Sequence, residues 1–407
     1  MSSGVSLVVL DSKDKATKAH SGCGIGNIVF LDVGGVTVRE LARALSKRVP
    51  TVGVEWELGL TAWLRRAVTR QRAEGDLGIL TVRLQRGWWR SRLLTRGKRL
   101  RRLLEEVVPL GPSTVVVLTS PHAVRWVRNL GGCVFVYYAS DNFLSWFRNA
   151  HRTRRFEGAL CRAAHHTFVV SRRLQERFSL EYAVPSGALS VLPNAVRGKD
   201  IPEAPPERST EPLPLAGFPR PWALVMGNLG VNTDWRLLAQ VAKQTTWLSW
   251  VFVGPVQPLG DSDQAKARVW FLHGAARTRF VGPVEYPDLS GFARACDVAI
   301  LPYLRSEATS HASPTRYYQH LAAGRPILAT DAVDELLDKT PLVRICRSAK
   351  EMADALGSLH KQGFCDGFER RRWEQAQGET WEARAEQFLR VLTRTLGPGR
   401  VGFGGGS

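Results

Sequence analysis

The sequence predicts an α/β protein built of two doubly wound parallel sheets facing each other across a cleft. Three observations carry this expectation. Apolar, β-branched runs alternate with helix-patterned stretches in two successive series. A proline-rich stretch separates the two series. The chain has 407 residues, 44% of them hydrophobic, which suits two ordinary domains with ample core.

Residues 1–24 hold a short apolar patch with no basic stretch before it, so they are expected to be a disordered leader and not a secretory signal. The first domain is expected over 25–200. Its strands read "NIVFLDV" (27–33), "TVGVEW" (51–56), "GILTVRL" (78–84), "TVVVLTS" (114–120), "CVFVYYAS" (133–140) and "HTFVVS" (166–171), with a helix over "TVRELARALSKR" (37–48). Such continuous apolar strands are those of a sheet covered on both faces. Residues 201–221 contain seven of the 22 prolines and read as a linker. The second domain, 222–365, has strands "WALVMGN" (222–228), "LSWVFVGP" (248–255), "TRFVGPV" (278–284), "DVAILPY" (297–303) and "RPILAT" (325–330). One long helix over 366–396 is expected to pack back on the first domain, followed by a flexible tail over 397–407.

No run is long and apolar enough to span a bilayer. The six cysteines are too scattered for a metal knuckle or a Cys-x-x-Cys pair, and suit a reducing cytoplasm. Adjacent histidines in "AAHHTF" would point to opposite faces of a strand, so no metal site is expected. The net charge of +19 is uneven: residues 1–200 carry 32 Lys/Arg against 15 Asp/Glu, a net +17. That asymmetry implies an acidic partner. Residues 65–102 hold 13 Lys/Arg and two acids. Within them Trp88 and Trp89 precede a stretch in which Arg92, Arg96 and Arg99 lie off a leucine face. Tryptophan beside arginine suits the surface of an anionic membrane. The plainer alternative is a core helix with a solvated basic face. A nucleic-acid partner is not expected, because no aromatic-basic module for one is recognisable.

Ligands of doubly wound sheets bind at the C-terminal strand ends. In "SPTRYYQHLAAGRPILAT", Ser313 is placed to cap a helix that Pro314 and Thr315 open and Gly324 ends. Arg316 in its first turn is unfavourable toward the helix dipole unless an anion such as phosphate binds there. Gln319 follows on the same face, in reach of a sugar hydroxyl. A surface ion pair for Arg316 is the alternative reading. Glycines 227 and 230 in "GNLGVN" would let backbone approach a ligand, with Asn232 as a hydrogen-bonding group and Glu307 a further acceptor. In the first domain Gly34 and Gly35 end the first strand, His122 follows the fourth and Asp141 the fifth. The last two stand where a base or sugar-orienting group belongs, or where a surface residue and an N-cap would.

The signature "SPTRYYQHLAAGRPILAT" resembles the donor-binding motif of GT-B glycosyltransferases, especially the family 4-like group. "PNAV" (193–196), "GNLGVNTDWRLL" (227–238), "FVGPVEYPDLSGFARACDVAILPY" (280–303) and "ETWEARAEQFL" (379–389) resemble neighbouring family segments in the same order. The resemblance is strongest over about 190–390 and implies two Rossmann-like domains. It further implies a nucleotide-diphosphate sugar as substrate, no cofactor or metal, a retaining mechanism, and a lipid-linked or polysaccharide acceptor. It places Arg316 where the family has a phosphate-binding lysine, and Val284 where family backbone contacts the base. Gln319 stands for the ribose-binding glutamate, His311 for an earlier glutamate and Ala195 for a glycine. The expectation is a cytoplasmic glycosyltransferase of polysaccharide biosynthesis, peripheral on the inner membrane leaflet, with His122, Asp141 and Arg316 as catalytic groups. The alternatives are a nucleotide-sugar epimerase of the same fold, a degenerate transferase, and a polyanion-binding protein.

Overall fold

The computed structural model describes residues 24–59, 70–85, 99–147, 149–205, 211–260, 262–273 and 277–397. The chain divides into two compact units. Unit 1 runs to Val169 and adds Arg177–Ser190 and the residues from Ala385 onward; unit 2 comprises Val170–Glu176 and Val191–Arg384.

Unit 1 is built on an eight-stranded sheet of β1 (Asn27–Leu31), β2 (Thr51–Gly59), β3 (Arg70–Glu74), β4 (Leu77–Gln85), β5 (Thr114–Leu118), β6 (Val134–Ala139), β7 (His166–Val169) and β8 (Leu189–Val191). The strand order is β3-β4-β2-β1-β5-β6-β7-β8. Its connections reverse direction between β1 and β5, the switch point of a doubly wound sheet. β1 and β5 are buried along their whole length, as their unbroken apolar sequences require.

Two strands of this sheet, β3 and the short β8, are absent from the sequence expectation. Arg70–Glu74 forms β3, paired antiparallel with β4. Its turn is the dipeptide Gly75–Asp76, with Gly75 at φ 65°. The hairpin signal lay inside a basic run whose strand residues are polar and carry no apolar alternation. Part of the basic excess is neutralised here. Arg39 reaches Glu55 at 2.6 Å and Glu74 at 3.2 Å, Arg72 reaches Glu55 at 2.9 Å, and Arg43 binds Glu74 at 2.5 Å and also Glu40. Trp88, Trp89, Arg92 and Arg96 lie outside the described residues. Arg99 opens the helix Arg99–Glu105, whose Leu100 and Leu104 are buried in the core. Among the described residues no helix is long and apolar enough to cross a membrane.

Unit 2 holds a six-stranded parallel sheet of β9 (Trp222–Met226), β10 (Ser249–Val253), β11 (Thr278–Gly282), β12 (Val298–Leu301), β13 (Ile327–Thr330) and β14 (Arg344–Cys346). Its order is β11-β10-β9-β12-β13-β14, with the switch point between β9 and β12. Trp222, Trp235 and Trp250 are fully buried, and Trp235 packs with Phe252, Phe271 and Phe280 on one face of the sheet. Leu215 and Phe218, from the proline-rich stretch, join the cluster on Trp222 and Leu224.

The C-terminal stretch is two helices, Glu369–Gly378 and Trp381–Leu396, where the sequence reading has one. Gly378 ends the first, and the Thr380 hydroxyl accepts the Ala383 N–H at 3.1 Å to open the second. From Ala385 onward the second helix belongs to unit 1, where Phe388 is fully buried and stacks on Phe168 at 4.8 Å. Phe388→Ala is expected to destabilise unit 1 by about 3–5 kcal/mol through the cavity it leaves. A fall in the urea midpoint of unit 1 checks this; an unchanged midpoint contradicts it.

Candidate active site

The switch point of unit 2 is assembled from backbone. Gly227 follows β9 at φ 103°, Gly254 follows β10 at φ 134°, and Gly282 ends β11 at φ 86°. Only glycine takes these conformations freely. The Gly227 N–H donates to Val253 O at 2.8 Å and the Gly254 N–H to Gly282 O at 2.8 Å. A Cβ at Gly254 would lie 2.0 Å from the Gly227 carbonyl oxygen, so the two turns lie in direct backbone contact. The loop after β9 is also tied across the switch point: Asp234 N–H donates to Pro302 O at 2.8 Å and Leu304 N–H to Asn232 O at 2.9 Å. Asp234 caps the next helix, its carboxylate accepting the Leu237 N–H at 3.0 Å.

The signature helix spans Thr315–Ala323 and ends at Gly324 in the left-handed conformation. Ser313 is not its cap. Pro314 occupies that position in an extended conformation. The Ser313 hydroxyl is engaged elsewhere, accepting the Asn194 N–H at 3.0 Å, while the Asn194 amide donates to Ser313 O at 2.5 Å. Thus "PNAV" anchors the start of the signature helix. The same segment meets the C-terminal helices: Val196 N–H donates to Glu379 O and Trp381 N–H to Val196 O, each at 3.0 Å.

Arg316, from the first turn, lies on the glycine turn. A Cβ at Gly227 would be 2.2 Å from Arg316 Nε. The guanidinium donates through Nη2 to Asn228 O at 3.2 Å and sits 5.3 Å from the centre of the Tyr303 ring. The alternative of a surface ion pair finds no support, since Arg316 makes no salt bridge among the described residues. The structure therefore brings Arg316, Gly227 and the Asn232 backbone into one constellation. Gly230 stands beside them, its Cβ position 3.0 Å from Gln257 Cβ.

Other expected donor-side residues stand differently. Gln319 is buried, with no partner for its side-chain N–H group. Glu307 is exposed and opens a one-turn helix, Glu307–Ser310, capped by Ser306. Val284 packs against the cluster around Trp222 and Phe292. One turn beyond Arg316, His320 is fully buried and neither ring nitrogen has a partner. Burial, with the Arg316 charge adding to it, holds its pKa down to about 3.

In unit 1 the expected residues gather at the β1/β5 switch point and after β6. Gly34 donates its N–H to Asp32 Oδ1 at 2.9 Å, and Gly35 precedes the helix Val36–Ser46. Asp32 takes φ 98°, a rare conformation for a residue with a side chain. The Thr119 hydroxyl supports this turn through Leu31 O at 2.8 Å. His122 lies in the 3-10 segment Pro121–Leu130, edge-on to Phe147 at 4.8 Å and Phe156 at 5.6 Å. Burial, then the charges of Arg152 and Arg125, lowers its pKa to about 4. Asp141 accepts the Asn142 N–H at 2.7 Å and the Trp146 indole N–H, yet burial raises its pKa above the usual carboxylate value. Asn142 is itself held by Arg177, which also donates to the fully buried Glu157 at 3.0 Å.

Asp32, Trp146, Tyr303 and His320 carry no motif that would have singled them out. Only the backbone strain, indole hydrogen bond, guanidinium over the ring and unpaired burial just described do so.

Gly254→Ala is expected to cost roughly 1–3 kcal/mol or more, because backbone must move; Gly230→Ala, which meets only a side chain, should cost less. Comparable losses in chemical denaturation would contradict this geometry. His320→Phe is expected to stabilise unit 2 by about 1–3 kcal/mol by removing unpaired buried nitrogens. The acid response follows from the same group. His122 and His166 titrate at about 4 and His320 at about 3 when folded, against about 6.5 unfolded. The unfolded chain binds more protons below about 6.5, so these rings make stability fall as pH drops from there toward about 4. In His320→Phe that decline should be shallower, read from urea midpoints across the window.

Comparison with known proteins then bears on this geometry. The family described as Glycosyl transferases group 1 matches residues 220–362. No curated protein matches the sequence. The structure is similar to one described as trehalose-6-phosphate from E. coli bound with UDP-2-fluoro glucose, with TM-score 0.66 and 12% identity over 90% of this chain and 99% of that one. It is similar to a UDP-forming trehalose-phosphate synthase from Burkholderia xenovorans, with TM-score 0.66 and 14% identity over 91% and 99%. An Anabaena protein in complex with UDP and glucose gives TM-score 0.62 and 14% identity over 90% and 99%. At these identities the structural likeness establishes the fold. Together with the two mostly parallel α/β sheets, this likeness gives the chain the GT-B fold, and its residues 220–362 match the group 1 glycosyltransferases.

Proposed function

We propose that the chain transfers a glycosyl group from a UDP-sugar to an acceptor hydroxyl, with retention of configuration and without a bound metal. The observation that carries this reading is the Arg316 guanidinium lying on the Gly227 turn at the start of the signature helix. Helix N–H groups, the half-buried Gly227 backbone and a guanidinium with no carboxylate partner among the described residues form an anion site suited to a diphosphate. UDP as the nucleotide draws support from the similar structures bound with UDP or a UDP-sugar.

In this reading the bond between the anomeric carbon and the diphosphate oxygen breaks, leaving its electron pair on the diphosphate. Arg316 and the helix amides stabilise that charge. The acceptor oxygen forms the new bond on the same face and gives its proton to the departing diphosphate. Gln319 contributes an amide where the family motif has a carboxylate. Attachment to an anionic membrane remains part of the proposal and rests on the basic run over 65–102.

In thermal shift with UDP, GDP, ADP and dTDP, UDP should raise the melting temperature, because it binds only the folded protein. Arg316→Ala should weaken UDP binding by about 10- to 150-fold, the loss of a charge-assisted contact of about 1.5–3 kcal/mol. No response to UDP in the wild type would defeat the reading.

A further inference from the structure

Unit 1 carries a second constellation that the donor chemistry does not use. After β6, Trp146 is 52% exposed although it is a large aromatic. Its indole N–H is fixed by the Asp141 carboxylate. A held indole face beside a carboxylate is the chemistry of sugar recognition: C–H groups of a pyranose stack on the ring and a hydroxyl donates to the carboxylate.

The surroundings add charge. Phe156 has the His122 ring edge-on at 5.6 Å and the Arg125 guanidinium at 5.4 Å from its centre. His122 and Arg125 are three apart in a 3-10 segment, so they lie on one edge. Arg152 projects from the first turn of the helix Ala150–Ala163 and is exposed. Both arginines act electrostatically on His122. Neither makes a salt bridge among the described residues, and Arg125 Nε is a buried donor without a partner. A buried, unpaired guanidinium N–H beside a second cation is costly unless an anion meets it.

We infer that unit 1 binds a phosphorylated sugar as acceptor, its ring on Trp146 and Asp141 and its phosphate on Arg125 and Arg152. This rests on the transferase reading for the word acceptor, though not for the binding. The phosphate can belong to a free sugar phosphate or to a sugar carried on a polyprenyl diphosphate; the recognition chemistry is shared.

The test is calorimetric titration of wild type, Arg152→Glu and Trp146→Ala with glucose 6-phosphate, glucose, and N-acetylglucosamine on a short-chain polyprenyl diphosphate in micelles. UDP is titrated into each as the control for unit 2. Arg152 is exposed in a first helical turn, where glutamate is tolerated, so Arg152→Glu should fold. The expected result is binding of at least one phosphorylated probe and much weaker binding of glucose. Arg152→Glu and Trp146→Ala should each weaken the phosphorylated probe at least tenfold and leave UDP affinity unchanged. Binding of glucose 6-phosphate assigns the free sugar phosphate; binding of the micellar probe alone assigns the lipid-carried one. If UDP binds but neither phosphorylated probe does, if glucose binds as tightly as they do, or if Arg152→Glu has no effect, the inference is overturned. If a phosphorylated probe binds and UDP does not, the inference stands and the donor reading fails; if neither binds, both fail.

Discussion

The switch point of unit 2 depends on one contact, the backbone of Gly254 lying against the carbonyl of Gly227. No side chain fits between the two turns. Because they touch, the loop after β9 stays low over the strand ends and can pair with residues 302–304 across the switch point. That pairing presents the Tyr303 ring and leaves a flat seat on Gly227 for the Arg316 guanidinium. A side chain at either glycine would lift the loop or displace the arginine. The cation, the glycine backbone and the helix start are held together by the absence of two β-carbons.

The signature helix is positioned by segments far apart in the chain. Asn194 binds Ser313 through both backbone and side chain. Arg384, from the last helix, donates to Pro193 O at 3.1 Å and so steadies the same strand of backbone. The Ser313 hydroxyl therefore anchors the helix start to this segment, and capping is left to Pro314 and the turn itself. Charge burial follows a similar economy. Arg372, almost fully buried, is met by Asp366 and by Leu342 O at 2.8 Å. Glu157 is met by Arg177, Tyr137 and Tyr182. His320 is the contrast, a buried polar ring with no partner one turn beyond Arg316.

The basic first half has two kinds of arginine. Those on the β2–β4 edge pair with Glu40, Glu55 and Glu74 and serve the fold. Arg125 and Arg152 face His122 without such partners among the described residues. A sum over sequence cannot separate these two groups, because pairing is decided by which carboxylates the sheet order brings alongside.

The sequence by itself determined the alternation of apolar runs and helices, and so both parallel sheets, since full burial of both strand faces leaves a continuous apolar record. It also determined the signature helix and its glycine stop, because left-handed positions have narrow residue preferences, though not the helix's cap. It singled out Arg316, an arginine against a dipole that only an anion would favour. The antiparallel β3, the break at Gly378–Thr380, and the engagement of Ser313 with Asn194 were decided by tertiary structure. Each depends on a partner distant in sequence. The roles of Asp32, Trp146, Tyr303 and His320 are likewise tertiary. Strain, indole fixation, a guanidinium over a ring and an unpaired nitrogen are relations between residues, and one-dimensional order records only the residues.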